Sequence, residues 1–265
     1  MHTTASDGLL TPAALVARVV EVGLTTISVT DHDTLGGLKE VRRYTEPANI
    51  RVIPGIEVTS VYNERDVHIL GYFIDEDDPN FAAFLTRGRS QRIERAREIA
   101  AKLESLGCPI DIDRVFTDAS RRGASVARPL IADALMRHGH VSSRQEAFDR
   151  FLASGKPAFV PRVGSSPMAV VDAIHRARGI ASLAHPGVTR QPDLIEPLAA
   201  HGLDALEAYH TDHTPEMQAE TLAAARRLNL AVSGGSDYHG DDARRPLGGV
   251  TLPEPVFNEL VARRK

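Results

Sequence analysis

Short apolar, β-branched runs recur along this chain, and most of them end at a histidine or a carboxylate. Thr25–Thr30 (TTISVT) leads into Asp31-His32-Asp33, Ile180–Ala184 (IASLA) into His185, and Ala205–Tyr209 (ALEAY) into His210. Leu230–Ser233 (LAVS) runs through two glycines toward Asp237 and His239, and Glu57 lies near the end of Val52–Thr59 (VIPGIEVT). Between the runs, Pro12–Val22 and Pro167–Arg178 carry apolar residues at helical spacing. Thr11 and Ser166 are N-caps followed by Pro, and Gly23 and Gly179 close the helices where a left-handed residue is wanted. This alternation predicts an α/β fold of parallel strands and helical crossovers, a barrel or a doubly wound sheet. In such barrels the strand ends open on one face, so these side chains should converge there. His68 lies early in its run, Val67–Ile74 (VHILGYFI), so it needs a bend or an antiparallel strand to join them.

Taken singly, each residue has an ordinary explanation. A lone His is more often solvated or in the core, Asp7 before Gly8 is a turn residue, and Asp31 and Asp33 could cap a helix over Leu35–Tyr44. Glu57 is different, because an unpaired carboxylate inside an apolar run is costly and calls for an ion or metal partner. Eleven histidines beside a single cysteine, Cys108, favour nitrogen and oxygen ligation over thiolate and exclude an intramolecular disulfide. A net charge of −4 gives no global basic field for duplex DNA. No apolar stretch reaches membrane-spanning length and no signal pattern opens the chain, so a cytoplasmic location is expected.

The middle of the chain reads differently. From residue 88 to 163 strand signals nearly vanish, and helices are predicted over Ser90–Leu106, Pro129–Gly139 and Arg144–Ala153. The expected organisation is a barrel from residues 1–87 and 164–265, interrupted by a helical insertion.

The ordered set His2 with Ser6-Asp7-Gly8, Thr30-Asp31-His32-Asp33-Thr34, Pro54-Gly55-Ile56-Glu57, His68-Ile69-Leu70-Gly71-Tyr72, Ala184-His185-Pro186 and Gly235-Ser236-Asp237-Tyr238-His239 resembles the PHP (polymerase and histidinol phosphatase) superfamily. The resemblance spans essentially the whole chain. Arg128-Pro129, Gly155 to Pro161 and Glu207-Ala208-Tyr209-His210 make it most similar to the branch of nucleoside 3′,5′-bisphosphate phosphatases and 5′-to-3′ exoribonucleases. It implies a distorted (β/α)7 barrel holding up to three divalent metals. The first would use His2, Glu57 and Asp237; the second Glu57, His68 and His185; the third Asp7, His32 and His239. Manganese is the usual metal of such sites, and the N/O ligands also suit Fe, Zn or Mg. Arg128, Lys156 and His210 match positions near substrate phosphates, with Arg128 and His210 implied in catalysis. His213 is expected behind the ligands or in solvent.

Two departures stand out. The family opens on a strand ending in His-x-His, and the first His would fall immediately before Met1, so the first barrel strand is expected to be truncated here. Either Met1 is an internal residue of that motif, the favoured reading, or the first metal has lost a ligand. Leu130 stands where related sequences often carry His. The implied activity is metal-dependent phosphoester hydrolysis by a metal-activated hydroxide, removing the 3′-phosphate of nucleoside 3′,5′-bisphosphates or trimming short 5′-phosphorylated RNA. Alternatives are another phosphomonoesterase acting on a substrate like histidinol phosphate, a metal- or nucleotide-binding relative without turnover, and an amidohydrolase-like enzyme.

Overall fold

The computed structural model describes residues 1–121, 126, 128–162 and 164–264. The first part of the chain forms α1 (Pro12–Val22), β1 (Thr26–Val29), α2 (Gly36–Thr45), β2 (Arg51–Tyr62) and β3 (Arg65–Tyr72). Helices follow as α3 (Pro79–Ser105), α4 (Ile112–Arg121), α5 (Arg128–Arg137) and α6 (Arg144–Ala147), which runs into a π turn, Phe148–Leu152. The last part contains α7 (Pro167–Arg176), β4 (Ile180–Leu183), α8 (Pro186–Thr189), α9 (Pro192–His201), β5 (Ala205–His210), α10 (Pro215–Arg227), β6 (Ala231–Gly235) and α11 (Glu254–Val261).

The helix starts follow from local chemistry. Thr11 Oγ1 accepts from the Ala14 amide and Ser166 Oγ from Ala169, with Pro opening each helix. Gly23 is left-handed, with φ of 76°. Gly179 is not; Arg178 takes the left-handed turn at φ of 61°. What requires glycine at 179 is proximity, since a Cβ there would sit 2.5 Å from Ile74 Cγ2.

The six strands form one curled sheet in the order β1-β2-β3-β4-β5-β6. The β1–β2, β4–β5 and β5–β6 pairs are parallel, but β3 runs antiparallel to both β2 and β4. The parallel pattern expected of the sheet thus breaks at β3, the strand whose early His68 called for a bend or an antiparallel run. Its cause is a two-residue hairpin at Asn63-Glu64, whose φ angles of 48° and 59° are both left-handed, the geometry that reverses a strand tightly. The reversal puts His68 opposite Thr59, two residues beyond Glu57 on β2.

A cavity of about 670 Å3 lies between the β1 and β6 edges, lined by Ser28, Glu57, Tyr72, Glu207 and Ser233 among others. Met1 and His2 cross its upper end, where the Thr30 amide donates to Met1 O and the His2 amide to Tyr238 O. One apolar cluster packs α7 and α9 on β2 to β5, and another closes the opposite end with Leu260 of α11 against Ile53, Phe73 and Ala231.

Helix α3 begins eleven residues before the predicted Ser90 start, capped by Asp78. Its first half buries Phe81 and Leu85 in the barrel's cluster, while Ala96, Ile99 and Leu103 join a separate one with Ile131, Leu135, Phe151 and Leu152. A boundary at 88 thus falls inside a continuous helix, and the boundary at 163 lies outside the described residues. Helix α5 starts at Arg128 and ends at Arg137, close to the prediction. The stretch predicted as one helix over Arg144–Ala153 is α6 plus the π turn, and α4 was not anticipated.

Candidate metal centre

Three carboxylates tie together most of the histidines singled out in the sequence: Asp7 from the loop before α1, Glu57 from within β2 and Asp237 just beyond β6. Glu57 Oε1 lies 2.6 Å from His68 Nδ1 and 3.3 Å from His185 Nε2, while its Oε2 lies 3.2 Å from His2 Nε2. Asp7 Oδ1 is 3.4 Å from His2 Nδ1 and 3.3 Å from His239 Nε2, and Asp7 Oδ2 is 3.7 Å from His32 Nε2. Asp237 Oδ1 is 3.1 Å from His2 Nε2, and Asp237 Oδ2 is 3.4 Å from His210 Nε2. His2, Asp7, His32, Glu57, His68, His185, Asp237 and His239 therefore form one contiguous cluster.

Within it, three groups offer ligand atoms within 4.8 Å of one another: His2-Asp7-His32-His239, His32-Glu57-His68 and His2-Glu57-Asp237. The third matches the first metal set implied by resemblance. The second differs, since His32 rather than His185 completes it, and His2 augments the first. The donors fit hard or borderline divalent ions, being imidazole nitrogens and carboxylate oxygens without sulfur. His32 Nδ1 and His68 Nδ1 are buried and make no hydrogen bond. His68 Nδ1 is thus close to Glu57 but off the line an N–H donor needs, as when two donors face a common point.

Without metal, the histidines do not share one charge state. Burial opposes protonation of His2, but hydrogen bonds to Asp237 and Glu57 outweigh it and raise its pKa to about 9. His185 is likewise raised to about 9, burial being overcome chiefly by Glu57. Burial lowers His32 to about 4 despite Glu57. Burial would also raise Asp7, Glu57 and Asp237, but the surrounding imidazoles hold all three carboxylates below their ordinary range. Three nonglycine residues here adopt left-handed backbone: Asp33 (φ 55°), His185 (29°) and Asp237 (49°). Each lies beyond the last residue of a strand, and two of them, His185 and Asp237, contribute side chains to the cluster.

A second layer of residues holds this cluster. Asp31 and Asp33 do not cap α2, whose N-cap is Leu35 without a side-chain bond. Asp31 is buried and accepts from the Thr3 amide, the Thr3 hydroxyl and the Ser6 hydroxyl, pinning the loop that carries His2 and Asp7. Asp33 accepts from the Thr59 amide and hydroxyl and pairs with Arg92 of α3 at 3.1 Å. Buried Glu207, whose pKa burial pushes up, accepts the His185 amide at 2.8 Å. A carboxylate in the apolar run ALEAY was the same signal that exposed Glu57. No comparable signal marks Arg92 or Arg245.

His210 is buried against Asp237, and its Nδ1 accepts the Asp212 amide at 3.1 Å, which leaves the neutral ring's proton on Nε2. His213 Nδ1 faces Ala208 O at 2.9 Å, and its ring lies 5.3 Å from His210, behind the ligands. The two cations matched to phosphate positions stand apart. Arg128 lines a second pocket of about 370 Å3 with Arg65, Arg162, Phe148 and Phe159, donates to Leu152 O, and packs 5.8 and 5.7 Å from the two rings. Lys156 is exposed.

Residues 1–142 match the PHP domain family. The chain belongs to the PHP domain family. It is 35% identical to the 5′-3′ exoribonuclease Rnm of Escherichia coli over 245 residues, covering 90% of this chain and 83% of that protein. It is 32% identical to the 3′,5′-nucleoside bisphosphate phosphatase of Chromobacterium violaceum, covering 99% and 95% of the two chains. Among solved structures it superposes with TM-score 0.78 and 30% identity on a Bifidobacterium adolescentis protein assigned as a metal-dependent phosphoesterase, covering 100% and 94%. No helix among the described residues is long and apolar enough to cross a membrane.

Proposed function

We propose that this PHP-family metal-dependent phosphoesterase removes the 3′-phosphate of nucleoside 3′,5′-bisphosphates or trims short 5′-phosphorylated RNA. The observation that carries the reading is the contiguous His, Asp and Glu cluster, with carboxylates that each face two or more imidazoles. The names of the Escherichia coli and Chromobacterium violaceum relatives support the substrate class. Up to three divalent ions, Mn2+ first among them, bound there would activate water and neutralise phosphoryl oxygens for in-line displacement.

His2, Asp7, His32, Glu57, His68, His185, Asp237 and His239 hold those ions in this reading. His210, with its proton on Nε2 beside Asp237, donates to the leaving oxygen or holds a phosphate. Arg128 binds a phosphate through its planar fork, and Lys156 adds a mobile charge at the rim. The helical insertion, residues 88–163, forms the wall of the substrate pocket. A distorted (β/α)7 barrel would place its remaining strand between β1 and β6, where the cavity lies. The enzyme works in the cytoplasm on a nucleotide or a short RNA.

The test is Mn2+-dependent phosphate release from adenosine 3′,5′-bisphosphate, run beside nucleotide release from a 5′-phosphorylated tetraribonucleotide. Turnover of either is expected; turnover of neither, with metal bound, overturns the assignment.

A further inference from the structure

Arg245 comes from an otherwise solvent-facing charged loop, yet its guanidinium reaches the centre of the site. Nη1 donates to Asp237 Oδ2 and, at 3.3 Å, to the Asp237 carbonyl, while Nη2 donates to Asp212 Oδ2. Its side chain is only 18% exposed. The loop is fastened from outside. The Arg245 amide closes a turn on Asp241 O at 3.0 Å, and Asp242 pairs with Arg18 of α1 at 3.0 Å and accepts from Tyr238.

The consequences reach two strand ends at once. With Oδ2 of Asp237 engaged by Arg245, Oδ1 is the oxygen that faces His2 Nε2 at 3.1 Å, within the His2-Glu57-Asp237 group. The same residue has left-handed backbone at φ of 49°, and Arg245 holds both its carbonyl and its carboxylate. On the β5 side, Asp212 is held by Arg245 while its amide donates to His210 Nδ1. One planar fork therefore fixes which oxygen of Asp237 points into the cluster and which nitrogen of His210 carries the proton. Lysine could not do both, because a point charge cannot span two carboxylates with matched geometry.

We propose that Arg245 is a positioning residue that locks Asp237 for metal ligation and, through Asp212, sets the His210 tautomer. The proposal rests on reading the cluster as a metal centre. The rival is that Arg245 merely supplies positive charge to a metal-free cluster and would compete with an ion for Asp237. The two make opposite predictions.

The experiment is calorimetric titration of metal-free wild-type, Arg245→Ala, Arg245→Gln and Arg245→Lys proteins with Mn2+, with folding checked by circular dichroism. Partners that orient metal ligands typically change metal affinity by about ten- to a hundred-fold on removal. A loss of that size is expected for the Ala and Gln variants, with partial recovery in Lys. Activity lost in the Gln variant should return as Mn2+ is raised, which a general folding defect would not allow. Equal or tighter Mn2+ binding by folded Gln and Ala variants overturns the proposal. Absence of Mn2+ binding by the wild type removes the metal-centre reading and the proposal with it.

Discussion

In the barrel, polar side chains from residues 2 to 239 meet within a few ångström, each carboxylate shared between imidazoles. Among the helices that follow β3, Arg128 and Lys156 do not assemble: one is packed between phenylalanines, the other is in solvent. The barrel side chains converge because successive strands of a curled sheet open on one end. The helical region from α3 to α6 has no such organiser. Its helices pack around Ile99, Leu135 and Leu152, and where its cations point follows from that packing. A site built on the curled sheet is thus held from many directions, while the second pocket is lined by the β2–β3 hairpin and a few residues of the helical region.

The comparison is broken most sharply at Glu57. Glu57→Gln keeps the shape but removes the charge shared by His2, His68 and His185, so activity should fall on the order of 10²–10³-fold, with metal content falling in parallel. Retained turnover and full metal content in this variant would move the centre elsewhere.

The next effect is on pH. His2 and His185, raised to about 9, are protonated at neutral pH in the metal-free protein. Ligation needs them neutral, so apparent Mn2+ affinity should climb from neutral pH and level off above about 9. Without metal the sign reverses: their ion pairs stabilise the fold below the unfolded value of 6.5 and lose that contribution as pH rises through about 9. Melting of metal-free protein across this window should therefore show stability declining, and flat behaviour in both experiments would contradict the assigned charge states.

Asp31→Ala tests whether the loop bearing His2 and Asp7 is held as described. Leaving the buried Thr3 and Ser6 donors unpaired should cost about 1–3 kcal/mol each at most, read by denaturant unfolding, with weakened metal binding alongside. On the insertion side, Arg128→Ala should raise KM roughly tenfold with kcat nearly unchanged, the loss of one charge-assisted contact. Lys156→Ala should shift stability by no more than about 0.5 kcal/mol and KM by less than Arg128→Ala does. A collapse of kcat in either variant would place the insertion's cations at the reacting atoms.

Much of the centre was legible because its signal is positional. A His or Asp after a β-branched run declares both the strand and the end that carries chemistry, which is why His32, His185 and His210 could be placed before any fold was known. Glu57 was legible by cost, as a carboxylate in an apolar run. The same cost marks Glu207, a carboxylate in the apolar run ALEAY. Asp31 and Asp33 looked like helix caps because a cap and a loop anchor have the same local sequence; their partners, Thr3, Ser6 and Thr59, decide between them.

By itself, then, the sequence determined the alternation of elements, the caps at Thr11 and Ser166, and the ligand types waiting at strand ends, since these depend on near neighbours. Tertiary structure decided the rest. The left-handed pair Asn63-Glu64 reverses β3 and brings in His68, α3 runs from one apolar cluster into another, and Arg245 reaches from a surface loop to Asp237. The turn at Asn63-Glu64 is itself local, but the pairing of β3 with β4 and the reach of Arg245 depend on residues far apart in the chain, and no local pattern encodes where a distant partner will lie.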